Sequence, residues 1–564
     1  MKTLHSAQPY VDVATRPEAT TSAADGVASA RVGVVVYTSP RENENIWAAT
    51  IAAVMRRAGA DVRFFQLCAN EDNTDEICRQ IVDFCPDLVT LALYDHNNLG
   101  VYFEDFAVVD AYRPLCTRLR QALPKVHINA GSWFVTYCAE QYLRDHEEID
   151  SVTIGEAEDT VPDLVRHLVA GRDLDDCAGI IFRRSGSLVR TLTRPAIRDL
   201  DRIPFMSRDL YRGGPARIAT SRGCHATCEF CSIAYFAPFN ETARWRGRSP
   251  DSIVSEIAHL VNEHGVDMVE FEDGSFEDQG SRDGYPRPYG RMLAICDKLV
   301  EAKLDIMFAV FMRTATALHL SAEMWDRLRS AGLYKVFVGV DSVDAQMRKK
   351  YRKPAFPLED VPDLWRRLRD MHIELRVGYI MFDPWVDFAR LRASIAFLKE
   401  LDHLCWAQCW TPLELLPGLP IIDRVAADGL LAPDYRYDRP WSYLYADPRI
   451  KALALGIKDL MRAQPKRLDT KLKHCDIALH RRRHLACRYP PMGTDIDRLS
   501  ARLEEHRRVI ASNNEEFLLH AFDLAEQGWR ADALEAAIER WYPAEWVEAH
   551  AADLGVLQGE VETV

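Results

Sequence analysis

No stretch of this chain stays apolar long enough to cross a bilayer. The opening residues, MKTLHSAQPYVDVATRPEATTSAADG, lack the basic start and apolar core of a secretory signal. They are rich in Ala, Thr and Ser, and residues 1–30 read as a mobile tail. The expectation is a cytoplasmic protein with no membrane partner. Positive charge is also short: 70 Lys and Arg stand against 84 Asp and Glu, a net charge of -14. That excludes general nucleic-acid binding, which needs a basic face. Arg348–Lys353 (RKKYRK) and Arg481–His484 (RRRH) are local exceptions, each read as a solvated helix face. A disulfide framework is absent too, because fourteen cysteines in 564 residues are too sparse for a small secreted scaffold. Finally, no G-x-G-x-x-G follows the first apolar run, which disfavours a nicotinamide or flavin dinucleotide.

What is present is an alternation of apolar runs and helical spacing. RVGVVVY, VRFFQL, DLVTLALY, KVHINAG and SVTIG read as five strands, each followed by a helical stretch. Continuously apolar strands of this kind imply a parallel, doubly wound α/β sheet covered on both faces, over residues 31–177. Ligands of such sheets sit beyond the carboxyl ends of the strands. Those ends carry Thr38, Ser39 and Pro40, then Tyr94 and Asp95, Gly131 and Ser132, and Gly155 and Glu156. Residues 178–215 read as a connector with a small hairpin, GIIFRRSGSLVRT. A second alternation follows over 216–430, from ARIATSRG to CWAQCWTPLEL; six βα units suit an open partial barrel. Residues 431–564 read as a helical C-terminal domain, expected to close over the barrel mouth.

Most of the cysteines stand singly among apolar residues: Cys68, Cys78, Cys85, Cys116, Cys138 and Cys296 read as buried small hydrophobes. Cys405 and Cys409 lie in a presumed strand without a second pair. Cys224, Cys228 and Cys231 are different, being crowded into TSRGCHATCEFCS after the first strand of the second alternation. A structural zinc site wants four ligands, usually as two pairs, and no matching pair follows. Iron–sulfur clusters use soft thiolates at short spacing. Three thiolates on a four-iron cubane leave one iron open to a substrate or cofactor.

C-x-x-x-C-x-aromatic-C in the loop after a partial barrel's first strand resembles the signature of radical S-adenosylmethionine enzymes, over about residues 216–420. The resemblance implies a 4Fe-4S cluster held by the three cysteines, whose open iron chelates S-adenosylmethionine. One electron, from a donor such as flavodoxin or ferredoxin, then yields a 5′-deoxyadenosyl radical. Residue by residue, it implies that the backbone of Phe230 meets the adenine. Glu272 and Asp273 would bind the amine, and Arg313 would pair the carboxylate. Asp341 and Ser342 fall in the ribose and carboxylate region, Gly378 on the strand lining the adenine, and Leu415–Pro420 (LLPGLP) on the usual Pro-Gly turn.

The doubly wound domain, then GEAED, then DLDRIPF, then the three-cysteine barrel resembles the cobalamin-binding class of that family. One departure is the missing Asp-x-His-x-x-Gly after the first strand, where YTSPRENENIW has no histidine; Asp95 and His96 follow the wrong strand. The class then implies base-off cobalamin. Its commonest chemistry is methyl transfer to unreactive carbon, so the leading expectation is a C-methyltransferase for a specialised metabolite or peptide. A non-methylating radical enzyme, performing ring contraction, cyclisation or oxidation, is one rival. A cluster- or cobalamin-based sensor is the other, against which Arg313 and Asp341–Ser342 speak.

Overall fold

The computed structural model describes residues 27–38, 44–68, 72–93, 111–236, 244–279, 287–462, 465–486, 493–528 and 531–563. Ser39, Pro40, Tyr94 and Asp95 lie outside them, as do residues 1–26 of the tail. The last residues of that tail are not loose: Val27 and Ala30 are buried in the core under the first sheet.

Five strands form the parallel part of that sheet: β1 (Arg31–Thr38), β2 (Asp61–Cys68), β3 (Leu88–Ala92), β4 (His127–Gly131) and β5 (Ser151–Thr153). Their order is β2-β1-β3-β4-β5. β3 is buried along its whole length and β1 over Val32–Val36, as strands covered by helices on both faces must be. Chain order reverses between β1 and β3, which places the ligand crevice outside their carboxyl ends. The hairpin β6 (Ile180–Arg184) and β7 (Ser187–Arg190) does not belong to a free connector. β6 pairs antiparallel with β5 and extends the sheet to seven strands.

The second unit starts with β8 (Ala216–Ile218). The chain then turns into a two-stranded ribbon, β9 (Ser221–Gly223) against β10 (Trp245–Gly247), with the three cysteines between them. The barrel continues through β11 (Met268–Phe271), β12 (Met307–Met312), β13 (Leu333–Asp341) and β14 (Glu374–Tyr379), all parallel, in the order β14-β13-β12-β11-β8. Period-two alternation splits its faces. Val336, Val338 and Val340 of β13 and Leu375 and Val377 of β14 are buried in one large apolar core. The intervening Lys335, Phe337, Glu374 and Arg376 occupy the opposite, inner face.

The sixth strand is a correction. Trp406–Cys409 is a helical turn, and only a single parallel bridge, Phe382 to Pro412, marks the sixth position. The residues CWAQCW are rich in aromatics that favour strands, yet Pro412 lacks the N–H that a longer ladder requires.

The helical C-terminal region also lies elsewhere than expected. The helix Pro465–Ala486 crosses the amino ends of the barrel strands, not the mouth. Ile477 packs on Met268, Met307 and Tyr334. Arg481 reaches Asp267 at 2.9 Å, His484 reaches Asp305 at 2.5 Å, and His480 lies 3.7 Å from Glu374. The RRRH run is therefore a docking face rather than a solvated one. Over the mouth lies the first domain: Phe134, Cys138 and Tyr142 share an apolar cluster with Tyr351, Leu413, Leu415 and Tyr437.

Candidate functional site

The three cysteines are held by a loop whose geometry depends on glycine. Gly223 has φ +88°, and a Cβ there would stand 1.7 Å from the carbonyl oxygen of Arg244. Cys224 N–H donates to that same oxygen at 3.0 Å, closing the ribbon beside the first sulfur. Gly274, after β11, lets the loop approach: a Cβ would meet Ile233 at 2.4 Å and the Gly223 oxygen at 2.8 Å. Cys224 and Cys228 are buried and Cys231 is half-buried. Burial pushes the thiols up, to about 11 for Cys224 and about 12 for Cys228. Backbone N–H groups oppose this, Ala226 at Cys224 (3.4 Å) and Ala234 and Ile233 at Cys231. Among the described residues no group of three or more His, Cys, Asp or Glu could hold a single metal ion. Three sulfurs gathered in one loop, two of them with backbone N–H donors aimed at them, fit a polynuclear thiolate-ligated cluster instead.

Around this loop the structure sorts the other candidates. Phe230 packs edge-on against Tyr351, with ring centroids 5.2 Å apart. Arg313 ends β12, and its Nε donates to the fully buried Glu277 at 2.7 Å. Asp341 has φ +65° and pairs with Lys353 at 2.6 Å. Burial works against the Lys353 charge, but Asp341 and the neighbouring Cys228 and Cys231 hold its pKa above the usual value. Lys353 belongs to the RKKYRK run. That run is not simply solvated, since Tyr351 within it is fully buried and Lys353 is turned toward the sulfurs.

Other candidates are already occupied. Glu272 is buried and paired with Arg217 at 2.6 Å. Asp273 accepts from the N–H groups of Thr220 (2.8 Å) and Ser221 (2.7 Å), fixing the strand that leads to the loop. Neither carboxylate is a surface acid, and neither is free for an amine. Ser342 is 2% exposed, and its Oγ accepts from Asp344 N–H at 3.2 Å. The space over Gly378 is taken by the ring of Phe337, 2.7 Å from where a Cβ would stand.

In the first domain, Gly131 yields its space to Trp47, whose ring lies 2.1 Å from a Cβ position. Ser132 caps the helix Trp133–Asp145 through Val135 N–H, and Gly155 N–H donates to Thr136 Oγ1 at 3.1 Å. Thr38 closes β1. Glu156 faces the barrel rather than the crevice. Its carboxylate takes Arg222 at 2.9 Å, Arg246 at 2.8 Å and the Ile197 N–H at 2.6 Å. Burial opposes its charge, yet the two arginines hold it down to about 2. Glu158 binds the other arm of Arg222. Arg202 and Asp159 pair beside them, with Arg202 Nη1 3.0 Å from Asp159 Oδ1. The GEAED loop is thus a latch between the domains. Sequence reasoning singled out the loop but missed its partners, although Arg222 stands two residues before Cys224.

The two domains meet directly at the cysteine loop. Tyr137, on the helix Trp133–Asp145, donates its hydroxyl to the Ser232 carbonyl, one residue past Cys231. Glu229, between Cys228 and Cys231, is held by Arg424 at 2.8 Å. The cysteine loop and the first domain therefore enclose one mouth.

Comparison with known proteins accounts for this arrangement. Residues 32–165 match the B12 binding domain, and residues 218–391 match the Radical SAM superfamily. An uncharacterised methyltransferase of Pyrococcus horikoshii is 27% identical over 387 residues, 67% of this chain and 78% of its own length. The anaerobic magnesium-protoporphyrin IX monomethyl ester cyclase of Synechocystis sp. is 27% identical over 370 residues, 63% of this chain and 67% of the relative. The cobalamin-dependent S-adenosylmethionine radical enzyme OxsB, solved with aqua-cobalamin and S-adenosylmethionine, superposes with a TM-score of 0.64 at 16% identity, over 94% of this chain and 81% of its own. The radical S-adenosylmethionine methyltransferase TsrM from Kitasatospora setae, solved with tryptophan and a S-adenosylmethionine analogue, gives 0.60 at 17% identity, over 78% and 90%. These structural likenesses speak to the fold. The chain joins a B12-binding domain to a Radical SAM domain and belongs to the cobalamin-binding radical S-adenosylmethionine enzymes. Its cofactors are a 4Fe-4S cluster, S-adenosylmethionine and cobalamin.

Proposed function

We propose that the protein methylates an unreactive carbon of a small molecule or peptide of specialised metabolism. The observation that carries this reading is the contact of Tyr137 with Ser232. It joins the crevice of the B12-binding domain to the cluster loop, so that a methyl donor and a hydrogen-abstracting centre would open on one space. When bound, the cluster with S-adenosylmethionine supplies the abstracting radical, and cobalamin supplies the methyl group.

The chain's own residues do the positioning. Cys224, Cys228 and Cys231 hold the cluster. Glu277 accepts from the Nε and backbone N–H of Arg313, which fixes the guanidinium so that its remaining donors can take a carboxylate. Asp341 keeps Lys353 charged, so that its ammonium can face Cys228 and Cys231. The latch of Glu156 and Glu158 on Arg222 sets the distance between the halves. Thr38, Ser39, Pro40, Tyr94, Asp95, Gly131, Ser132 and Gly155 remain the residues proposed to border a base-off cobalamin through their backbone. Flavodoxin or ferredoxin is the proposed electron donor, and the cytoplasm the proposed site of action.

The test uses anaerobically reconstituted holoenzyme, reductant, methyl-labelled S-adenosylmethionine and a metabolite extract of the cells that make the protein. Label on a substrate carbon, with equal 5′-deoxyadenosine and S-adenosylhomocysteine, supports the reading. Deoxyadenosine with an unlabelled product replaces it with ring contraction, cyclisation or oxidation. S-adenosylhomocysteine alone, with a labelled product, means methyl transfer without hydrogen abstraction. No turnover points to the sensor.

A further inference from the structure

Glu414 stands just after the Phe382–Pro412 bridge, at the carboxyl end of the sixth barrel position. Its backbone is pinned on both sides. Leu413 N–H donates to Phe382 O at 2.7 Å, and Leu415 N–H donates to Pro440 O at 2.8 Å. Tyr435 Oη donates to Leu415 O at 2.7 Å. The segment that continues from it touches both halves of the site. Ile421 N–H donates to Glu229 O at 3.3 Å, within the cysteine loop. Gly418 faces Tyr137 of the B12-binding domain, 3.7 Å from a Cβ position. Glu414 is therefore carried on a rigid strut between the cysteine loop and the helix Trp133–Asp145.

The residue keeps some accessible surface, yet the surrounding protein desolvates its carboxyl. Burial alone pushes its carboxyl up to about 7. No cation or donor answers it among the described residues. Other acids around this mouth have cationic partners. Glu229 has Arg424 (2.8 Å), Asp341 has Lys353 (2.6 Å), Glu277 has Arg313 (2.7 Å), Asp383 has Arg390 (2.5 Å) and Glu156 has Arg222 (2.9 Å). A desolvated carboxylate costs several kcal/mol unless a cation or donors satisfy it, and the described residues supply Glu414 with neither. Partly buried aromatic rings, among them Trp133, Tyr137, Phe230, Tyr435 and Trp441, pack against the same apolar cluster as Leu413 and Leu415.

We propose that Glu414 anchors the substrate, and that the substrate carries a cationic nitrogen, an amine or guanidine, on a body that aromatic rings can cover. The proposal rests on the reading above for the location of the substrate. It goes beyond that reading by naming a recognising residue and a substrate class.

The probes are tryptamine and tryptophol, which share an indole and differ in a cationic nitrogen against a hydroxyl. Equilibrium dialysis with holoenzyme at about pH 8 keeps the amine charged and Glu414 ionised. The wild type should retain tryptamine at least about tenfold more tightly than tryptophol. Glu414→Gln, of the same shape, should erase that preference and leave tryptophol and S-adenosylmethionine binding unchanged. Glu414→Asp, which keeps the charge on a shorter arm, should keep part of it. Equal retention of the two probes by the wild type overturns the proposal, as does a preference that survives in Glu414→Gln. Loss of S-adenosylmethionine binding in Glu414→Gln would also overturn it, by giving the residue to the cofactor. Because binding is read without turnover, this test can succeed while labelled methyl fails to reach carbon. The two readings therefore fail separately.

Discussion

Arg222 Nη1 stands 2.9 Å from Glu156 Oε1, so the residue two positions before the first cluster cysteine is fastened to the B12-binding domain. Arg246, on the partner strand of the same ribbon, takes the same carboxylate at 2.8 Å. Glu156→Gln would leave two partly or fully buried guanidiniums short of charge, and breaking a buried pair costs about 3–5 kcal/mol. The expected result is an unfolding free energy, read from urea denaturation, lowered by an amount in that range. Faster hydrogen exchange should accompany it at both residues 220–223 and 155–158. A change below about 0.5 kcal/mol would mean that the latch behaves as a surface pair.

Gly223→Ala tests the same ribbon from its backbone. The φ of +88° and the 1.7 Å approach to Arg244 O leave no room for a methyl group. Strain of this kind costs about 1–3 kcal/mol, and the clash adds to it. The variant should fold with a displaced cysteine loop and hold much less iron after anaerobic reconstitution, although all three thiols remain. Wild-type iron content would show that the loop tolerates a different path.

Cys→Ala at position 224, 228 or 231 should leave the far-UV circular dichroism unchanged and abolish cleavage of S-adenosylmethionine. Chelation of the iron in the wild type should do the same, and reconstitution should reverse only the latter. A single variant that kept full iron and turnover would remove its sulfur from the ligand set.

His127 and His403 give the fold an acid limit. Burial lowers both to about 4. An unfolded imidazole takes its proton near pH 6.5, before the folded one does, so the unfolded chain gains as pH falls. Stability from these neutral rings is complete above about pH 6.5 and drains away toward pH 4. Each should cost about 2 kcal/mol by pH 5. His127→Gln and His403→Gln should each flatten the fall of the unfolding midpoint between about pH 7 and pH 5. An unchanged slope in both variants would place the acid sensitivity elsewhere.

The parallel sheet was legible because β1 and β3 are almost continuously apolar and buried on both faces, a pattern few other structures need. The cysteine loop was legible because three soft ligands at short spacing have few uses. What stayed hidden depends on distant partners. RKKYRK and RRRH look alike as charge runs, yet Lys353 is answered by Asp341 at the end of the preceding strand and Arg481 by Asp267, far away in the chain. Glu272 and Asp273 sit where the resemblance implies amine binders, but Arg217 and the Thr220–Ser221 backbone claim them first. Glu414 gives no signal at all in the sequence, since one acid in TPLELLPG becomes notable only when no cation reaches it. The sequence pattern marked the C-terminal region as helical, but its expected place over the mouth was wrong, because the docking face is set by Asp267, Asp305 and Met268 on the barrel.

That docking site yields the last prediction. Because Pro465–Ala486 crosses the amino ends of β11 to β14, it supports the barrel from the side opposite the cysteine loop. Ile477 is its apolar plug, set against Met268, Met307 and Tyr334. Ile477→Asp trades the half-buried plug for a carboxylate set against these side chains, which should cost about 2 kcal/mol or more. Ile477→Val keeps the plug and should cost about 1 kcal/mol. The damage should be confined to stability. At a temperature where Ile477→Asp stays folded, its affinity for S-adenosylmethionine and its ratio of tryptamine to tryptophol binding should match the wild type. Were the C-terminal helices a lid over the mouth, the aspartate would change ligand preference at unchanged stability. Parallel denaturation and dialysis of the two variants separate a foundation from a lid.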